Sequence, residues 1–181
     1  MSLLELVIVL MVVGLMAAVA APRFASTMRA AHVRAAAIQI AGHIRYVRRI
    51  AINEGRSTSL SFDDSNSTYQ SIDVDFPSRL GKRIDVVVNE DFDGSITIAS
   101  NLDGTSNLTF DLEGVPHVNG SLLSSGIITI SSPGVPSFEI LIAAGTGETT
   151  IQPVTQPVTQ PNAPAGPLDI KLDAPTPVGG P

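Results

Sequence analysis

At 181 residues the chain has room for one membrane helix, one domain and a tail, and with no cysteine it has neither a disulfide framework nor thiol chemistry. Its formal net charge of -6 argues against nucleic acid as a main partner.

The first element is apolar from Leu3 to Ala21 apart from Glu5. Those 19 residues, at about 1.5 Å rise each, form a helix of roughly 28 Å, close to the thickness of a bilayer's hydrocarbon core. The segment can therefore span a membrane. A charge near the middle of such a helix costs about 2.5 to 3.5 kcal/mol, less toward its ends, so Glu5 in the second turn calls for headgroup solvation or a partner. A secretory signal peptide is the other reading, through Ala18 to Ala20, but no cation precedes the apolar run and the first one, Arg23, lies beyond it. By the positive-inside rule Arg23 alone would hold the bulk of the chain in the cytoplasm, a conflict that a basic segment ahead of Met1 would remove.

Leu3, Leu4 and Glu5, the unbroken Val/Ile/Leu/Met run, Gly14, and then Ala20, Ala21, Pro22, Arg23 and Phe24 resemble the mature N-terminus of the type IV pilin and type II secretion pseudopilin superfamily. Met1 stands where that family usually has Phe, and Ser2 where Thr is common. The resemblance implies that a basic leader is removed just ahead of Met1 and that the new Met1 amine is N-methylated. It also implies that Glu5 pairs with the Met1 amine of an adjacent subunit. Pro22 cannot donate to the carbonyl four residues earlier, and Gly14 costs about 1 kcal/mol relative to Ala. A kink or melted segment between them is expected when copies of the chain pack together.

Residues 24–54 continue as an amphipathic stem. Val33, Ala37, Ile40, Ile44, Val47 and Ala51 recur at spacings of four and three and form one apolar stripe, with Arg34, Arg45, Arg48 and Arg49 off it. The helix is expected to stop near Asn53, Glu54 and Gly55. From Pro22 to Arg56 seven arginines stand against one acid, Glu54, whereas from Ser57 onward four cations stand against fifteen acids. Either neighbouring copies attract one another stem to head, or each arginine solvates one helix face.

Residues 55–152 read as a β-rich head. The strand candidates are 57–63, 68–74, 84–88, 95–100, 107–112, 126–132, 137–143 and 148–152, separated by turn residues at Asp64 to Asn66, Asp91 to Gly94, Asp103 and Gly104, and Pro133 and Gly134. Short connections favour antiparallel pairing, which gives an α+β fold: a long N-terminal helix packed on an antiparallel head. The run from Ala36 to Tyr69, with Leu60 and Phe62, resembles the H-type pseudopilins and related minor pilins, and Phe110 to Gly114 and Gly145 to Gly147 fit the same pattern. That branch includes tip subunits of secretion pseudopili and a DNA-binding pilin whose basic C-terminal motif is not found here.

Residues 153–181 form a Pro-rich tail in which the unit Gln-Pro-Val-Thr repeats from Gln152, a composition that favours extended polyproline II. Within it Leu168 to Leu172 alternates as a strand does and can pair with a sheet edge in its own head or a neighbour's.

The sequence carries few patterns that support chemistry. His32, His43 and His117 have no metal spacing, no hydrolase signature surrounds the serines, and no Gly-rich phosphate loop is present, so no enzyme, cofactor or metal centre is expected. Asn89, Asp91 and Asp93 place oxygen ligands at alternate positions with Gly94 at the sixth, as in the first half of a calcium loop, but Ser100 at the twelfth lacks the bidentate carboxylate. The alternative is an acidic hairpin turn. Asn66, Asn107 and Asn119 open glycosylation sequons. The resulting expectation is a structural pilin that is held in the inner membrane before assembly and then polymerises with identical or homologous subunits, through a dedicated assembly machinery, into an extracellular filament. The alternatives are a minor pseudopilin of a type II secretion system, in a periplasmic pseudopilus, and a DNA-uptake pilin.

Overall fold

The computed structural model describes residues 2–92 and 95–154, leaving out the side chains of residues 17–23 and residue 80. One helix, α1, runs unbroken from Leu3 to Glu54, 52 residues and about 78 Å. It ends as its sequence dictates: Gly55 takes φ 59° and ψ 37°, a left-handed conformation that costs glycine no Cβ clash, and the Arg56 amide closes the last turn onto the Ala51 carbonyl at 3.3 Å.

Ten strands follow, with a single-turn helix between the third and fourth: β1 (Thr58–Asp63), β2 (Thr68–Phe76), β3 (Arg79–Val87), α2 (Val88–Asp91), β4 (Thr97–Leu102), β5 (Asn107–Phe110), β6 (Pro116–Val118), β7 (Ser121–Leu122), β8 (Gly126–Ser131), β9 (Phe138–Ile142) and β10 (Thr149–Pro153). They form two antiparallel sheets, one in the order β3-β2-β1-β5-β6-β7 and one in the order β10-β9-β8-β4. The arrangement is the expected α+β fold of a long N-terminal helix on an antiparallel β head. The elements differ from the expectation in detail. β3 starts five residues earlier than its apolar pattern, β6 and β7 occupy a stretch read as loop, and Val88 opens α2 rather than ending a strand. The Pro-rich tail was expected from residue 153, but Pro153 still belongs to β10; beyond Val154 the tail, with its candidate strand at 168–172, lies outside the described residues.

The core lies where the stem meets the head. All six residues of the apolar stripe are buried, and Ala36 and Ala41 beside them are closed off as well. Small residues on α1 let the backbone come close to both sheets, and Leu60, Phe110, Ile128 and Ile140 fill the space beneath it, none of them exposed. Strand burial alternates in period two, as in β8, where Gly126, Ile128 and Ile130 point inward.

Arg48 fastens the helix to two glycine turns. Its Nε donates to the Gly114 carbonyl at 3.0 Å, and a Cβ placed on Gly147 would sit 2.9 Å from that same carbonyl oxygen and 3.0 Å from Phe110. Gly147 also has φ +68°, whereas Gly145, at φ +76°, faces open space. Gly147→Ala should therefore lower the thermal midpoint more than Gly145→Ala. The latter meets only the backbone cost of about 1 to 3 kcal/mol, and equal midpoints would show that the turn shifts freely.

Candidate assembly surface

Beyond the head, α1 projects a half-helix with nothing against it. Between Leu3 and Met16 twelve large apolar side chains are 47% to 83% exposed, distributed all round the helix. A surface helix keeps a polar face; a helix that is apolar all round belongs in a core or in lipid. Among the described residues no helix is long and apolar enough to cross a membrane. The side chains of residues 17–23, which would complete the apolar run to Ala21, are outside them.

Within this surface the structure locates some of the expected site residues and leaves others out. Met1 lies outside the described residues. Glu5 lies in the first turn of α1 rather than the second, because the helix starts only at Leu3, and its carboxylate accepts a 3.4 Å hydrogen bond from the Ser2 amide, the reach-back that a Ser-x-x-Glu start allows. This contact is exposed and belongs to the helix itself, so in the single chain Glu5 has no cationic partner among the described residues. α1 passes through Gly14 and Pro22 without a break, and a Cβ on Gly14 would meet nothing within 4 Å. The kink between them was expected of packed copies, a state that a single chain does not contain.

The remaining candidates are scattered over the head. Asn66 is exposed and its Nδ2 donates to Asp63 at 2.7 Å, while Asn107 and Asn119 are exposed in β5 and in the β6–β7 turn. Asn89 and Asp91 fall in α2, not in a loop: the Asn89 Oδ1 is buried without a partner among the described residues, and Asp91 accepts from Gln39 of α1 at 3.4 Å. Asp93 is outside the described residues. Among the described residues no three acidic, histidine or cysteine side chains are grouped to hold a metal.

His43 is a contact that periodicity did not single out. Its Nδ1 lies 2.7 Å from the Tyr69 hydroxyl, and its ring meets Phe76 edge-on at 5.6 Å. Burial holds the His43 imidazole below its usual pKa, opposed by the Asp91 charge, and burial likewise raises the Tyr69 hydroxyl. An imidazole harder to protonate in the fold than in the unfolded chain leaves stability intact above the unfolded pKa of about 6.5. As pH falls below that value the unfolded state binds the proton first, so the head should lose stability. Thermal midpoints of wild type and His43→Gln across pH 7.5 to 5 should converge at the acid end, and parallel curves would assign the dependence elsewhere.

No family model matches the sequence, and no curated protein does. Among solved structures the chain is similar to two crystal forms of the type IV minor pilin FimU of Pseudomonas aeruginosa, at 16% identity in each. The TM-scores are 0.47 and 0.45, over 67% and 66% of this chain and 87% and 90% of theirs.

Proposed function

We propose that the chain is the structural subunit of a type IV pilus-like filament, polymerising through the first half of α1. The observation that carries the reading is the all-round apolar surface from Leu3 to Met16 on a helix continuous with the folded head. Before assembly that surface is covered by inner-membrane lipid. In the filament it is covered by the same surface of neighbouring subunits, and the β heads form the outer wall on the cell surface. The N-terminal resemblance assigns the Met1 amine, N-methylated after leader removal, as the partner of Glu5 across the subunit contact. Gly14 and Pro22 are the places where the helix can loosen when the rods pack. The role is structural, without cofactor, and the partners are further copies or homologous subunits and the machinery that assembles them.

Val9→Asp tests the reading. A carboxylate in the middle of the apolar run costs about 2.5 to 3.5 kcal/mol in an apolar surrounding, and Val9 touches no part of the head's core. Sheared surface fractions viewed by electron microscopy should contain filaments for the wild type and none for Val9→Asp, with the head still folded. Filaments of normal number from Val9→Asp would remove the polymerisation role of this surface.

A further inference from the structure

The four sheet edges of the head are not treated alike. β3, at one edge of the larger sheet, carries Arg79, Lys82 and Arg83 and a register shift against β2, while β7 at the other edge is only two residues long. Charges, irregularities and short length are the usual ways of keeping an edge from recruiting another strand. β4, an edge of the smaller sheet, is covered by side chains: the outward amides of Ile98 and Ser100 donate to the Ser67 Oγ at 3.4 Å and the Asp64 carboxylate at 2.9 Å. β10 has none of these protections before Pro153.

The phase of β10 is fixed by its last bond to the neighbouring strand, from the Val154 amide to the Ser137 carbonyl at 2.9 Å. Alternation then turns the backbone groups of Thr150 and Gln152 toward β9, and those of Thr149 and Ile151 outward; Thr149 is itself buried, so the open part of the edge is Ile151 and the Pro153 carbonyl. Beside this free edge α1 and the smaller sheet leave an open groove of about 440 Å³ lined by Arg34, Ile38, Phe138, Ile151 and Pro153. Ile38 is 53% exposed there, and Arg34 makes no ion pair among the described residues.

We propose that this edge and groove receive the segment Leu168 to Leu172 of a second copy of the chain, added as an outer strand beside β10. The proposal rests on the filament reading above. In strand geometry Leu168, Ile170 and Leu172 share one face and meet the apolar groove, Asp169 and Lys171 take the other, and Asp173 follows within reach of Arg34. The spacer has the length to reach a neighbour. Residues 155–167 include four prolines, and at about 3.1 Å per residue an extended polyproline II run of that length reaches roughly 40 Å. A head of about 100 residues has a radius of gyration near 13 Å and so is roughly 35 Å across. The spacer is thus long enough to carry the segment about one head diameter from its own β10, the distance to the matching edge of a subunit packed alongside. Each subunit's tail then ties it to the next through backbone hydrogen bonds, in addition to the contact between N-terminal helices.

The absence of native cysteine makes the test direct. Full-length chains bearing Thr150→Cys and full-length chains bearing Asp169→Cys are co-expressed, and sheared filaments are oxidised with copper phenanthroline; this pair reports a parallel added strand with Ile170 beside Ile151, and the pair Thr150→Cys and Lys171→Cys reports the antiparallel one. Disulfide-linked dimers joining the two kinds of chain are expected in one of the pairs. They should be lost when Ile170→Asp is added to the tail-cysteine chain. Placing both cysteines in one chain should give a ladder of multimers. A double variant that closes only onto itself would overturn the exchange, because the segment then returns to its own edge. Abundant filaments without a cross-link from either pair would overturn the docking while leaving the polymer intact. A preparation without filaments would overturn the filament reading itself, together with the exchange that depends on it.

Discussion

Glu5→Ala is expected to reduce the yield of sheared filaments by about a hundredfold or more and to leave the head folded. In the single chain the carboxylate is exposed, and its contact with the Ser2 amide at 3.4 Å contributes little. In the proposed filament it is excluded from water and faces the Met1 amine of an adjacent subunit. Removing one side of a buried ion pair costs about 3 to 5 kcal/mol, because the other charge is left uncompensated. At about 1.4 kcal/mol per tenfold, the association constant of a subunit falls by roughly two to four orders of magnitude. Glu5→Gln keeps the shape and loses the charge, so it should behave like Glu5→Ala. A filament yield from Glu5→Ala equal to wild type would show that the acid is solvated in the assembly.

Phe110→Ala is expected to act in the opposite place. Phe110 is fully buried in β5, where its ring approaches the Gly147 turn beside Arg48, so its removal opens a cavity at the junction of helix, sheet and turn. Truncating a buried Phe to Ala costs about 3 to 5 kcal/mol. For a head of this size that lowers the thermal midpoint by at least about 12 °C. The chain has two tyrosines and no tryptophan, so near-ultraviolet circular dichroism of the detergent-solubilised full chain follows the surroundings of buried Tyr69 with little overlap. A midpoint within about 3 °C of wild type would mean that the neighbours close over the gap. Glu5→Ala should leave this signal unchanged, which separates loss of assembly from loss of fold.

The parts of the fold that were legible in the sequence are those in which periodicity is long. The stripe from Val33 to Ala51 repeats over five helical turns, and every member of it is buried. Gly55 as the stop of α1 was legible because a left-handed cap selects glycine. β6 and β7 were missed because three residues beginning with Pro116 and two residues at Ser121 and Leu122 are too short to show alternation. The front of β3 was missed because Arg79, Lys82 and Arg83 lack the apolar face by which strands are recognised, and at a sheet edge none is needed. The bond from Arg48 to Gly114 spans 66 residues of chain, and the pairing of His43 with Tyr69 spans 26, so neither leaves a local signal. For the assembly surface the apolar run and its single acid were legible from composition alone. What covers that surface was not, because under the proposed function the covering groups come from lipid or other copies.

The central claim is that the apolar half of α1 exchanges lipid for a bundle of identical helices. Helical reconstruction of filaments sheared from expressing cells, by electron cryomicroscopy, tests it most directly. The account predicts a central bundle built from residues 1–23 of successive subunits, with Glu5 inside it beside a neighbour's Met1 amine and the β heads on the outside. Filaments whose axis is built from the heads, with Leu3 to Met16 facing solvent or lipid, would contradict it, as would a protein that stays a dispersed monomer in detergent and forms no fibres in its host.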